Sequence, residues 1–218
     1  LEGGVPIVYK LGERWGPERA APLDLEIDPK DGLVWLLTEE RKLSGFELSD
    51  GAWTLKEEIR TPAPVAYSYM RLQDEKFVLS PVQVKHNESP VMQVLVGEER
   101  NWKKLKVLRN DPSSIKVPIP REIELISSMN KLILAPDFGK ELYLFDLRTG
   151  KAESFIETPT MDGKMRWVPS LERLFIALPN RMEIWAVNPK TKEVDWVIPT
   201  QPGVRSMAID ADRNIIVS

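Results

Sequence analysis

The chain has 218 residues, 42% apolar and 29% charged, which are ordinary proportions for a globular protein and enough for one substantial core. Net charge is −3 with no long basic stripe, which argues against nucleic-acid binding, and the absence of cysteine excludes disulfides, thiolate nucleophiles and Cys-based metal sites. No stretch approaches the about 20 consecutive apolar residues of a membrane-spanning helix, and 18 prolines against 12 glycines favour many short elements over long helices.

In chain order, the first apolar alternation is VPIVYKL at 5–11. Next comes LDLEID at 23–28, where Leu23, Leu25 and Ile27 fall on one face and Asp24, Glu26 and Asp28 on the other, because side chains alternate along a strand. A polar turn leads into DGLVWLL (31–37), a hairpin signal, and SGFELSDG (44–51) and WTLKEEIRTP (53–62) supply a third and a fourth strand. The pattern restarts with EKFVLS (75–80) and VMQVLVGE (91–98). It is then interrupted by a segment of mixed charge, 97–122, in which Trp102 stands beside Lys103, Lys104 and Lys106. REIELI (121–126) repeats the acidic alternation with Glu122 and Glu124, and NKLILA (130–135), LYLFDLRTG (142–150) and AESFIETP (152–159) complete that unit. ERLFIA (172–177), EIWAVNPKTK (183–192) and DWVIPT (195–200) form another, and VRSMAID (204–210) with RNIIVS (213–218) begins a last one.

The repeat has a measurable period. The first apolar residues of the second strands, Leu33, Phe77, Leu132, Leu174 and Ile215, lie 44, 55, 42 and 41 residues apart. Four strands per unit of that length predict an all-β fold, a β-propeller of four-stranded antiparallel blades. The chain is expected to form a single domain over 1–218 with an insertion at 97–122. The two-stranded ending and the lone alternation at 5–11 predict that N-terminal strands complete the last blade. That gives five blades, or six or seven if the natural chain is longer.

IDPKDGLVWLL, IDADRNIIVS and LYLFDLRTGK resemble the repeats of the NHL, YVTN and WD40-like propeller superfamily, over essentially the whole chain and without favouring a subfamily. The Trp-Asp and Gly-His pairs of WD40 repeats are absent; Phe145-Asp146 comes nearest. The first strand of each propeller blade lines the central channel. Asp24, Glu26, Glu122 and Glu124 are therefore expected to converge there. Some five-bladed relatives are glycosidases, so the resemblance admits a hydrolase or lyase acting on a sugar-like substrate, with Ca²⁺ as its one conceivable cofactor.

Arg121, Arg166 and Arg205 each lie near the start of a first strand and are expected at one channel mouth, to neutralise those carboxylates or to hold an anionic ligand. Trp102 is a second candidate contact, or a packing residue of an outer strand. The lone histidine, His86, sits in a polar loop with no nucleophile motif, and Asn87-Glu88-Ser89 is a glycosylation acceptor by pattern. DADRN at 210–214 begins like a calcium loop but reads as a hairpin turn, and no metal site is expected. The reading favoured is a non-enzymatic scaffold binding a protein, peptide or glycan through its loops and channel mouth. The start at Leu1 leaves open a longer, exported or membrane-linked protein, and the absence of cysteine leans the same way.

Overall fold

The computed structural model describes residues 22–28, 30–38, 42–49, 52–61, 67–73, 76–81, 93–97, 106–118, 120–136, 139–159, 163–203, 207–210 and 215–217. The described residues are built from β-strands joined by turns and three short 3-10 segments. The first sheet is β1 (Pro22–Ile27), β2 (Val34–Thr38), β3 (Lys42–Ser49) and β4 (Ala52–Arg60). The second is β5 (Tyr67–Gln73), β6 (Lys76–Pro81), β7 (Gln93–Gly97) and β8 (Lys106–Arg109). The third is β9 (Pro120–Ile126), β10 (Lys131–Pro136), β11 (Glu141–Asp146) and β12 (Ala152–Glu157). The fourth is β13 (Met165–Val168), β14 (Arg173–Leu178), β15 (Glu183–Asn188) and β16 (Glu193–Pro199), and β17 (Ala208–Asp210) pairs with β18 (Ile215–Val217).

Each sheet is an antiparallel meander with its strands in sequence order. The first strands lie side by side, β1 against β5, β5 against β9, β9 against β13 and β13 against β17, so the sheets radiate from a common centre as the repeat implies. The described part of 97–122 carries β8, the fourth strand of the second sheet, and the start of β9. The loop between them is pinned by Asn110, whose side chain accepts from the Val117 N–H and donates to the Ser114 hydroxyl. The proposed closing strand at 5–11 lies outside the described residues.

The second strands explain the apolar runs. On β10, Leu132 and Leu134 enter the cluster shared with the second sheet, through Val78, Val94, Val96 and Leu108. Ile133 and Ala135 enter the cluster shared with the fourth sheet, through Trp167, Leu174, Ile176 and Leu178. A strand buried on both faces needs apolar residues at consecutive positions. Trp35 and Leu37 of β2 likewise pack against Met70, Leu79 and Leu95 of the second sheet. Each such side chain contributes about 1.5–3 kcal/mol on burial.

Four turns constrain sequence tightly. The 3-10 segments end in left-handed residues, Asn130, Glu172 and Met182, at φ of 53°, 48° and 56°. Gly150, at φ 75°, follows the Asp146 turn, and a Cβ there would collide with the Arg109 carbonyl oxygen of the neighbouring sheet. Only glycine meets both conditions.

Candidate functional site

The first strands share a local device. In β1, β5 and β9 the pairing with the second strand skips one residue, Leu23, Ser68 and Arg121 respectively. These are β-bulges, which bend a strand and re-aim the residues that follow. Beyond the bulge, Glu26 pairs with Trp35, Arg71 with Val78 and Glu124 with Ile133, and Arg166 pairs with Phe175 on β13. Glu26, Arg71, Glu124 and Arg166 therefore hold corresponding positions on four successive inner strands, with charge alternating in sign. At the same level of the fifth sheet stands Ala208.

Arg71 is the centre. Its side chain is 6% exposed and reaches carboxylates on both neighbouring sheets. Nε donates to Glu124 Oε2 at 3.0 Å, Nη2 to Glu122 Oε1 at 2.6 Å, and Nη1 to Glu26 Oε1 at 3.0 Å and Asp24 Oδ2 at 3.4 Å. Nη1 also donates to its neighbour's carbonyl, Met70 O, at 2.7 Å. Burial works against the guanidinium's charge, but Glu124, Glu122, Glu26 and Asp24 more than offset it and hold Arg71 protonated.

The carboxylates have a second duty. A first strand is the inner edge of its sheet, and its outward N–H groups lack a ladder partner. Asp24 accepts from the Met70 N–H on β5 at 2.8 Å, and Glu124 accepts from the Trp167 N–H on β13 at 3.0 Å. Each thereby satisfies a backbone donor of the next sheet. Lys164, just before β13, donates to Glu122. Arg166 Nη1 stands 3.8 Å from Glu124 Oε2 and 4.0 Å from Glu26 Oε1, so a side chain of the fourth sheet crosses the centre to one of the first. Burial pushes the Glu26 carboxyl up to about 7, opposed by Arg71 and Arg166. It raises Glu124 as well.

The four carboxylates expected in the channel thus meet, and they meet on a guanidinium. A Ca²⁺ ion could not occupy the point where they converge without expelling Arg71, so the donor set does not fit that ion. Of the expected arginines, Arg166 joins the cluster. Arg121 sits exposed at the bulge of β9. Arg205, Trp102, His86, Asn87 and the turn at 211–214 lie outside the described residues. Arg71 itself was not among the sequence candidates. Its strand, YSYMRLQ, turns into β6 over two residues where β9 and β13 use four, so counting back from the apolar anchors misses the alignment.

Four-stranded meanders whose first strands surround a charged centre define a β-propeller. Neither a family model nor a curated protein matches the chain. Among solved structures it is similar to virginiamycin B lyase from Staphylococcus aureus, at TM-score 0.55 and 15% identity over 92% of this chain and 84% of that one. It is also similar to the Pan2 WD40 domain of Neurospora crassa, at 0.54 and 11% over 82% and 49%. A third likeness is to BBS1N, solved in complex with ARL6DN, at 0.56 and 12% over 85% and 56%. The chain spans about half of the Pan2 domain's length. The neighbours are WD40 and NHL-like propellers, as the repeats suggest, and at these identities they establish the fold alone. No helix among the described residues is long and apolar enough to cross a membrane.

Proposed function

We propose that the chain is a non-enzymatic propeller scaffold that holds an acidic protein or peptide segment at its channel mouth. The observation that carries this reading is Arg71, which engages all four carboxylates that a sugar hydrolase or lyase could have used. Catalysis by paired carboxylates needs one group facing substrate as acid and a second as base or nucleophile. Here Asp24 and Glu124 hold backbone donors of the next blade, and Glu122 lies between Arg71 and Lys164.

Arg166 and Lys164 are the basic groups of this cluster that reach solvent, with side chains 43% and 51% exposed. Among the described residues the Arg166 guanidinium makes ion pairs at 3.8 and 4.0 Å but no hydrogen bond, so its donors suit a bidentate carboxylate. Arg121, Arg205 and Trp102 extend the proposed contact set. BBS1N, of similar fold, was solved with a protein partner, which supports the same use of this one.

Fluorescence anisotropy with a labelled oligo-glutamate peptide tests the reading. The wild type should bind, and the double variant Arg166→Gln, Lys164→Gln should bind at least about tenfold more weakly with a shallower salt dependence. Absence of binding would refute it. Turnover of a sugar-like substrate that Glu124→Gln abolishes would establish the enzyme instead.

A further inference from the structure

One nitrogen of Arg71 faces more acceptors than it has hydrogens. Nη1 carries two, and three oxygens lie within reach: Met70 O at 2.7 Å, Glu26 Oε1 at 3.0 Å and Asp24 Oδ2 at 3.4 Å. Three of the four carboxylates have independent donors. Asp24 accepts from the backbone N–H groups of Leu25 and Met70 at 3.0 and 2.8 Å. Glu122 has Arg71 Nη2 to itself and also accepts from Lys164. Glu124 has Arg71 Nε and the Trp167 N–H. Among the described residues, Glu26 has the contested Nη1 and, beyond hydrogen-bond reach, Arg166 at 4.0 Å.

Charge points the same way. Among the described residues, Asp24, Glu26, Glu122 and Glu124 outnumber Arg71, Arg166 and Lys164 by one charge, and Glu26, Arg71, Glu122 and Glu124 are largely removed from water. Excess charge in a low-dielectric setting is relieved by neutralising the least supported group. We propose that Glu26 is a proton-binding site that couples the packing of the first three blades to pH near neutrality. This inference stands apart from the peptide-binding reading and rests on none of its residues' exposure.

The step is a simple one. A proton from solvent adds to a Glu26 carboxylate oxygen and forms an O–H, and no other bond changes. The charges of the described residues then balance, and the centre gains a donor where donors are short. Among the described residues, the charged groups around Glu26 are Asp24 on its own strand, Arg71 from β5, Glu124 from β9 and Arg166 from β13, with Glu122 and Lys164 behind them. Burial, the largest influence, raises its affinity for the proton to about pH 7, and Glu124 and Asp24 add to that while Arg71 and Arg166 oppose it. Glu124 is raised by burial too, against the opposing charges of Arg71 and Arg166 and the N–H of Trp167. The proton is assigned to Glu26 because, among the described residues, it has the poorest set of donors: Glu124 holds Arg71 Nε and the Trp167 N–H, whereas Glu26 shares Nη1 with two other oxygens.

The sign of the linkage follows. Between about pH 4.5 and 7 the folded chain holds a proton that the unfolded chain releases. The stabilisation is complete below pH 4.5 and disappears as pH rises through 7.

Thermal unfolding of the wild type and of Glu26→Gln across pH 5, 6, 7 and 8 tests the proposal. The wild-type Tm should fall by several degrees over this range. The variant is neutral at every pH, so its slope should be visibly flatter and its Tm at pH 8 at least that of the wild type. Equal slopes would overturn the inference. Should the variant fail to fold, the ¹³C carboxyl resonance of Glu26 in the wild type decides: a midpoint near pH 7 supports the site and one near 4.5 refutes it.

Discussion

The first and second strands of each blade stabilise the molecule in different ways. On β10, both faces are apolar, and Leu132, Ile133 and Leu134 disappear into two separate clusters. On β1, β5 and β9, one face carries Asp24, Glu26, Arg71, Glu122 and Glu124, all joined in one centre. Apolar packing is non-directional and tolerates changes of shape. The charged centre is directional, because each carboxylate meets a particular N–H. The comparison suggests that the apolar faces drive the blades together while the centre fixes which inner-strand residues meet. A buried guanidinium is weak evidence of net stabilisation, but removing it alone is costly because its partners remain behind.

The largest effect expected is from Arg71→Met. Four partly buried carboxylates would lose their shared counter-charge, at a cost of about 3–5 kcal/mol at pH 8, read from urea unfolding. Leu134→Ala probes the other kind of contact and should cost about 2–5 kcal/mol through lost burial and a cavity. Its cost should not change between pH 5 and 8, since nothing in or against that cluster titrates in that range. Gly150→Ala should lower stability by about 2 kcal/mol or more, because the left-handed turn and the Arg109 carbonyl both exclude a Cβ. Lys190→Ala should change unfolding by less than about 0.5 kcal/mol, since its pair with Glu172 lies in solvent. A large effect there would break the contrast between centre and rim.

Much of this was legible in the chain. The apolar runs NKLILA and ERLFIA, recurring after polar turns, marked second strands, and burial on both faces explains their consecutive apolar residues. Asp24, Glu26, Glu122 and Glu124 were readable as one strand face from their alternation, and the resemblance to propellers placed that face in the channel. Their common partner was not. YSYMRLQ has no acidic alternation, its turn is shorter than those of its counterparts, and a lone arginine within it signals nothing until the neighbouring strands are placed beside it. Lys164 escaped for a related reason: it precedes β13, where the sequence shows only a polar approach to a short strand.

The central claim is that Arg71 serves the four carboxylates as their shared counter-ion, and one measurement addresses it most directly. Urea unfolding of the wild type, Arg71→Met and Leu134→Ala would be recorded at pH 8 and at pH 5. Protonation at the lower pH relieves carboxylates that have lost their guanidinium, so the deficit of Arg71→Met should shrink markedly, while that of Leu134→Ala stays constant. A variant unfolded at pH 8 that regains its transition at pH 5 would be the same result in stronger form. An Arg71→Met deficit that is unchanged between the two pH values would contradict the claim.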